Sequence, residues 1–318
     1  MKAILVPVPG GPESLLYAEA PDPEPRPGEV VVTVRAAGVN RADLLQAAGK
    51  YPPPPGDSEV LGLEVAGELP GTEERVFFLL SGGGYAGKVA VDPGLLMPIP
   101  EGMSFEEAAA IPEAWFTAYL NLFQEGKLAA GETILVHAGA SGVGTAAIQL
   151  AKRAGARVAT TSRSERKCAA LRELGADLAV DTSRSDFAEA VEAAWGRFPI
   201  DLVLDPIGGA ALGGNVRLMG RGGRLVVIAT MGGAAAELDL RALLVRRLSL
   251  VGSTLRSRPL VEKVALTASF RREVLPGFAS GALKPLVDSV FPLERAADAH
   301  RRMAANENVG KIVLTVGP

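Results

Sequence analysis

ETILVHAGASGVGTAAIQLAK, residues 132–152, reads as a buried strand, a glycine-rich turn and a helix in immediate succession. Thr133 to His137 form a short apolar run of the kind buried on both faces of a parallel sheet. Gly139, Gly142 and Gly144 let the backbone turn sharply and approach a ligand closely. From Val143 the pattern becomes helical, so the backbone of Ala140, Ser141, Gly142, Val143 and Gly144 stands at a helix N-terminus. Unpaired N–H groups there, with the positive end of the helix dipole, suit a pyrophosphate without any cationic side chain. The turn departs from GxGxxG, with Ser141 at the middle glycine, and taken alone it also reads as a tight turn without a ligand. A nucleophile elbow would need glycine where Val143 stands, and a P-loop would need Lys followed by Ser or Thr; neither is present.

Downstream the same alternation continues: RVATTS (157–162), a helix over 165–174, LAVD (178–181), a helix over 187–195, IDLVLD (200–205), a helix over 210–219, RLVVIA (224–229), a helix over 240–246 and LSLVGS (248–253). Six strands in β-α alternation predict an α/β fold, a doubly wound parallel sheet with right-handed crossovers and helices on both faces. Upstream, residues 1 to about 115 read as an all-β unit with strands at 2–6, 29–37, 61–68, 75–79 and 87–91 and one helical insert at 40–48. The proline-rich stretches 21–29 and 51–57 are surface loops, because proline lacks the ladder donor. Ser104 and Glu107 form a capping box that opens the helical texture. Beyond the sixth strand come a helical stretch at 259–280, the apolar segment VDSVFPL (287–293), a helix over 295–306 and KIVLTV (311–316). The last strand is expected to return to the β unit. That makes 116–274 a dinucleotide-binding domain inserted into a domain of 1–115 and 275–318, with a cleft between the two.

Of 318 residues, 48% are hydrophobic and 22% charged, which suits a globular chain with sizeable cores. A net charge of −3 and a pI near 5.7 argue against a nucleic-acid or anionic-membrane surface. Cys168 is the only cysteine and His137 and His300 the only histidines, so no internal disulfide and no metal cluster is expected. No apolar run approaches the ~20 residues of a membrane span and no signal-like segment opens the sequence, so a cytoplasmic protein is expected.

NAD-binding sites of this architecture place a carboxylate on the ribose at the end of the second strand, about 20 residues after the turn. Here that strand ends Thr160-Thr161-Ser162-Arg163. With no carboxylate present, a 2′-phosphate can be held by Ser162, Arg163 and Lys167, which favours NADPH. The alternative makes Arg163 and Lys167 part of a solvated helix face with Arg166 and Arg172. Ala229 and Met231 follow the fifth strand, and Ser253 and Leu255 the sixth, at the carboxyl ends where ligands of open α/β sheets bind.

AAGVNRADLLQAAGKYPPPPG (36–56), LGLEVAG (61–67), AIPEAWFTAY (110–119), HAGASGVGTAAIQLAK (137–152), TLRSRPL (254–260) and NVGKIVL (308–314) together resemble the medium-chain dehydrogenase/reductase superfamily. Within it they are most similar to the zinc-free quinone oxidoreductases of the p53-inducible type. The resemblance covers the whole chain and implies a Rossmann domain inserted in a GroES-like domain, NADPH as cofactor and a homodimer. Zinc-dependent relatives have a catalytic cysteine at the position of Asn40 and a metal-binding histidine at that of Leu63, so no zinc is implied. By family position Asn40 and Tyr51 lie near the nicotinamide and the substrate oxygen, as donors to a developing oxyanion. Otherwise Asn40 holds a turn and Tyr51 covers apolar surface. Asp43 supports the helix start or, alternatively, takes part in the chemistry, and Glu64 is a supporting carboxylate. Thr117 matches a threonine at the nicotinamide end of the cofactor or is an ordinary helix residue, and Lys311 matches a lysine near the cofactor or is a solvated edge residue. Thr182 stands where relatives supply a tyrosine to the phosphate pocket. Asp205 and His137 are read as structural, and His300 as exposed on a polar helix. The expected activity is zinc-independent hydride transfer from NADPH to a quinone. Alternatives are reduction of the C=C bond of an enone, or a non-enzymatic NADPH- or RNA-binding role of the crystallin type, against which the acidic pI counts.

Overall fold

The computed structural model describes residues 1–317. The chain divides into two units, one of residues 1–116 with those from 255 onward, the other of Thr117–Thr254.

Thr117–Thr254 carries a six-stranded sheet in which every pairing is parallel: Thr133–Val136, Arg157–Ser162, Leu178–Asp181, Ile200–Asp205, Met219–Val227 and Ser249–Gly252. Numbered along the chain, these strands lie in the order 3-2-1-4-5-6, the doubly wound arrangement expected from the alternation. Helices Gly142–Arg153, Glu165–Glu173, Phe187–Trp195, Gly209–Leu218 and Leu240–Arg246 make the connections. The central strands read as unbroken apolar runs because both of their faces are covered: Ile134, Leu135, Val136, Leu202 and Val203 are fully buried. Leu135 and Val203 join Val191, Leu218 and Leu225 in one core. The outer strand Ser249–Gly252 is different, with Leu250 38% exposed.

The other unit is built on a seven-stranded sheet ordered Val287–Pro292, Lys311–Thr315, Val30–Val39, Glu64–Glu68, Arg75–Leu79 and Met97–Pro98, with Lys88–Val91 also paired to Val30–Val39. Lys311–Thr315 runs antiparallel to Val30–Val39, with Ile312 opposite Val39, so the late strand does return to the β unit. Alternate residues of these strands, including Val34, Val65, Phe78 and Leu314, meet in the core. Phe116 stacks on Phe270 at 4.3 Å between ring centres. A hairpin strand at Leu16–Glu19, paired with Lys2–Leu5, falls outside the expected elements; its side chains are mostly exposed and leave no alternating pattern to read. The helical stretch at 259–280 is two helices, Leu260–Glu273 and Leu275–Ala279, with Pro276 in the first turn of the second. VDSVFPL contributes the strand Val287–Pro292. Among the described residues no helix is long and apolar enough to cross a membrane.

Candidate active site

In the strand-turn-helix segment, a side-chain carbon on Gly139 would lie 2.0 Å from Thr160 Oγ1, so the first glycine is required by contact with the next strand. Ser141 caps helix Gly142–Arg153, its Oγ accepting the Gly144 N–H at 3.0 Å. The N–H groups of Gly142 and Val143, in the first helical turn, have no partner within the helix and remain for a ligand. Behind the turn His137 is buried, with Nδ1 3.0 Å from Thr161 Oγ1 and Nε2 2.7 Å from Asn215 Oδ1. Burial pushes its pKa down and keeps it neutral. Asn215 in turn donates to Asp205, whose other oxygen accepts the N–H groups of Ile207 and Gly208. His137 and Asp205 are thus both buried and hydrogen-bonded within the fold.

Ser162, Arg163 and Lys167 lie together at the carboxyl end of Arg157–Ser162 and the first turn of the following helix. Ser162 is buried and Arg163 exposed. The Thr182 hydroxyl donates to the Ser162 carbonyl at 3.1 Å. Ala229 and Met231 follow Met219–Val227 and Ser253 follows Ser249–Gly252, so all stand at the carboxyl end of the sheet, as the turn does. Ser253 Oγ is buried without a hydrogen-bond partner. A glycine cradle, free helix N–H groups, two cationic side chains and an orphan hydroxyl at the carboxyl end of one sheet fit a dinucleotide phosphate chain. Thr117, half-buried in helix Pro112–Tyr119, accepts a hydrogen bond from Asn121 through its carbonyl. Leu255 and Lys311 belong to the other unit.

There, Asn40, Glu64 and Lys311 form one buried network. Asn40 Nδ2 donates to Glu64 Oε1 at 2.8 Å, and its Oδ1 accepts from Lys311 Nζ at 2.7 Å. Lys311, only 3% exposed, is ion-paired with the fully buried Glu64 and also donates to the Val39 carbonyl at 2.9 Å. It is therefore not a solvated edge residue. Gly38 makes room for the pair: a side-chain carbon there would meet Glu64 Oε1 at 2.3 Å. Asp43, below Asn40, accepts the Asn40 N–H at 2.7 Å, fixing the start of helix Arg41–Ala47 as expected. Burial pushes the Asp43 carboxyl up to about 6, against the pull of the Asn40 N–H and Lys311. The Tyr85 hydroxyl donates to Asp43 at 3.0 Å and lies 3.3 Å from His300 Nε2.

His300 is fully buried, contrary to its reading as exposed. The charges of Asp298, Arg301 and Arg302 conceal the stripe Ala296, Ala299, His300, Met303 that faces the core. Burial pushes the imidazole down to about 4, and it stays neutral.

Tyr51 is half-buried beneath the Arg256 guanidinium, which lies 5.1 Å from its ring centre and donates to its carbonyl at 3.2 Å. Arg256 is 4% exposed and also donates to the Ser81 carbonyl and Gln46 Oε1. Lys263, 7% exposed, donates to Ser81 Oγ at 2.6 Å. Burial, and then the charge of Glu113, push the Tyr51 hydroxyl above its usual range, so it remains a neutral donor. Sequence reading missed Arg256, Lys263 and Glu113. An acid in the apolar AIPEAW and two cations around TLRSRPL were the available signals.

Residues 26–79 match the family model for the alcohol dehydrogenase GroES-like domain, and residues 142–269 that for zinc-binding dehydrogenase. The chain is 36% identical to the quinone oxidoreductase from Thermus thermophilus, solved also in complex with NADPH; the match covers 99% of this chain and 100% of that one, with a TM-score of 0.86. Rat quinone oxidoreductase is 29% identical over 99% of this chain and 97% of that protein. The mycocerosic acid synthase-like polyketide synthase of Mycobacterium tuberculosis is 32% identical over 97% of this chain, which spans 15% of that protein's length. The zinc named in one family description does not fit this donor set. Asn40 Oδ1 and Glu64 already face the Lys311 ammonium, which a metal cation would have to displace, and Leu63 offers no ligand atom. Among the described residues no group of three or more His, Cys, Asp or Glu can hold a metal ion.

Proposed function

The chain belongs to the medium-chain dehydrogenase/reductase superfamily of nicotinamide-dependent oxidoreductases, and from that premise we propose that it is an NADPH-dependent, zinc-independent quinone oxidoreductase. The observation that carries this reading is the Asn40–Lys311–Glu64 network, in which a buried ion pair holds an amide donor in place where a metal has no ligands. The second Asn40 Nδ2–H has only a 3.5 Å contact to the Gly38 carbonyl, which leaves it for a substrate oxygen. Tyr51, held neutral, is the second donor to that oxygen as negative charge develops on it. Bound NADPH supplies the hydride. Ala140 to Gly144, with Ser253, hold its pyrophosphate end, Ser162, Arg163 and Lys167 its 2′-phosphate, and Thr117, Ala229, Met231 and Leu255 contribute further contacts.

The match to a polyketide synthase favours a second reading, reduction of a C=C bond conjugated to a carbonyl, which needs the same hydride and the same oxygen donors. Steady-state assays of quinones and of enals with NADPH and NADH separate the two. We expect quinone turnover with NADPH preferred; inactivity toward both acceptor classes overturns the enzyme reading.

We also infer a homodimer formed through the open edge of the parallel sheet. Strand Ser249–Gly252 has an unpaired side, and beside it Leu240, Leu244 and Val245 are 67%, 78% and 66% exposed.

A further inference from the structure

Glu113 lies in the first turn of helix Pro112–Tyr119, and its carboxyl Oε2 is buried with no hydrogen-bond partner. A carboxylate oxygen left so would carry a large desolvation cost unless a cation or a proton met it. The neighbouring cations are committed elsewhere. Lys311 is paired with Glu64, Lys263 donates to Ser81, and Arg256 is spread over Tyr51, Ser81 and Gln46. The nearest acid repels it: Glu64 Oε2 accepts the Glu113 N–H at 2.8 Å, and Asp43 adds to the negative surroundings. Burial first, then the Glu64 charge, push the Glu113 carboxyl up to about 8, against the smaller pulls of Lys311 and Lys263. At neutral pH Glu113 is therefore an acid that still holds its proton. It sits among the proposed oxygen donors: Glu64 joins its backbone to the Asn40 amide, and once ionised at alkaline pH its carboxylate raises the Tyr51 hydroxyl.

Resting on the reductase reading, we propose that Glu113 is the proton donor of this site, giving its carboxyl proton to the acceptor atom left anionic when hydride arrives. Each turnover of a quinone or an enone takes one hydride, with both its electrons, from the reduced nicotinamide, and one proton. The Glu113 O–H bond breaks as the acceptor O–H or C–H bond forms. The carboxylate that remains then takes a proton from water, restoring the acid. Asn40 and Tyr51 hold the oxygen while Glu113 delivers the proton, which separates stabilisation of charge from its neutralisation.

The test is the pH dependence of kcat for wild type and Glu113→Gln with whichever acceptor the wild type reduces. Wild-type kcat should be level near neutrality and fall about tenfold per pH unit well above pH 8, as the donor loses its proton. Glu113→Gln should lower kcat at pH 6.5 by roughly 100-fold, abolish the alkaline fall and leave KM for NADPH within about twofold. A variant with wild-type kcat and an unchanged alkaline limb overturns the proposal. Should Glu113→Gln fail to fold, Glu113→Asp serves instead: a reduced kcat with a displaced alkaline limb supports the role, and an unmoved limb refutes it. Absence of wild-type turnover with every quinone and enal overturns the reductase reading beneath it, whereas turnover with unaltered variants overturns the proton donor alone.

Discussion

Lys311 and Glu64 are both buried, so removing either leaves the other as an uncompensated charge. Lys311→Met should therefore cost about 3–5 kcal/mol in urea unfolding. A loss below about 1 kcal/mol, the range of exposed pairs, would show that the pair is solvated in solution. Tyr51→Phe should lower kcat and leave KM for NADPH nearly unchanged, because the hydroxyl is assigned to the acceptor; an unaltered kcat reduces Tyr51 to a cover for Arg256. Glu113 makes a separate prediction for stability. Its folded pKa, about 8, lies above the ordinary carboxyl value of 4.5, so between these values the folded chain holds a proton that the unfolded chain has lost. Stability contributed by this group is present below the unfolded pKa and falls as pH rises through the folded one. Glu113→Gln should thus gain stability relative to wild type between pH 5 and pH 8 in parallel urea titrations. A difference that does not vary with pH contradicts the assignment.

At the scale of elements, the strand Arg157–Ser162 delivers Ser162, Arg163 and Lys167 to one place, where a solvated helix face and a phosphate pocket predict different kinetics. Arg163→Ala with Lys167→Ala should raise KM for NADPH far more than for NADH. Equal effects would remove the 2′-phosphate assignment. The elements themselves were legible from sequence: RVATTS, LAVD and IDLVLD coincide with strands Arg157–Ser162, Leu178–Asp181 and Ile200–Asp205, because strands covered on both faces need continuous apolar runs. The candidate site was only partly so. Asn40, Tyr51 and Lys311 stood out by position, but whether a charged side chain is buried depends on partners remote in the chain. Glu113 meets Glu64 across 49 positions and Arg256 meets Tyr51 across 205, which no local pattern reports. His300 failed for a related reason, since charged neighbours on the outer face of its helix hide the apolar stripe to which it belongs.

For the molecule as a whole, the exposed apolar side chains of helix Leu240–Arg246 and the open strand beside it set an expectation for assembly. Leu244→Asp with Leu250→Asp should convert a dimer to monomers in sedimentation velocity; a wild type that sediments as a monomer removes the dimer reading. The two units also differ in how far along the chain their sheets reach. All six parallel strands fall within 133–252, whereas the Lys311–Glu64 pair joins residues 247 positions apart. On a ribosome, the parallel sheet is complete while residues beyond 252 are still being added. The β unit must wait, with the Ala36–Val39 half of one flank of Val30–Val39 uncovered and Glu64 lacking its counterion, until Lys311–Thr315 emerges and docks. The pair that equips the candidate site is thus also the latch of the later-folding half, and a nascent chain acquires its chemistry and its closure in the same event.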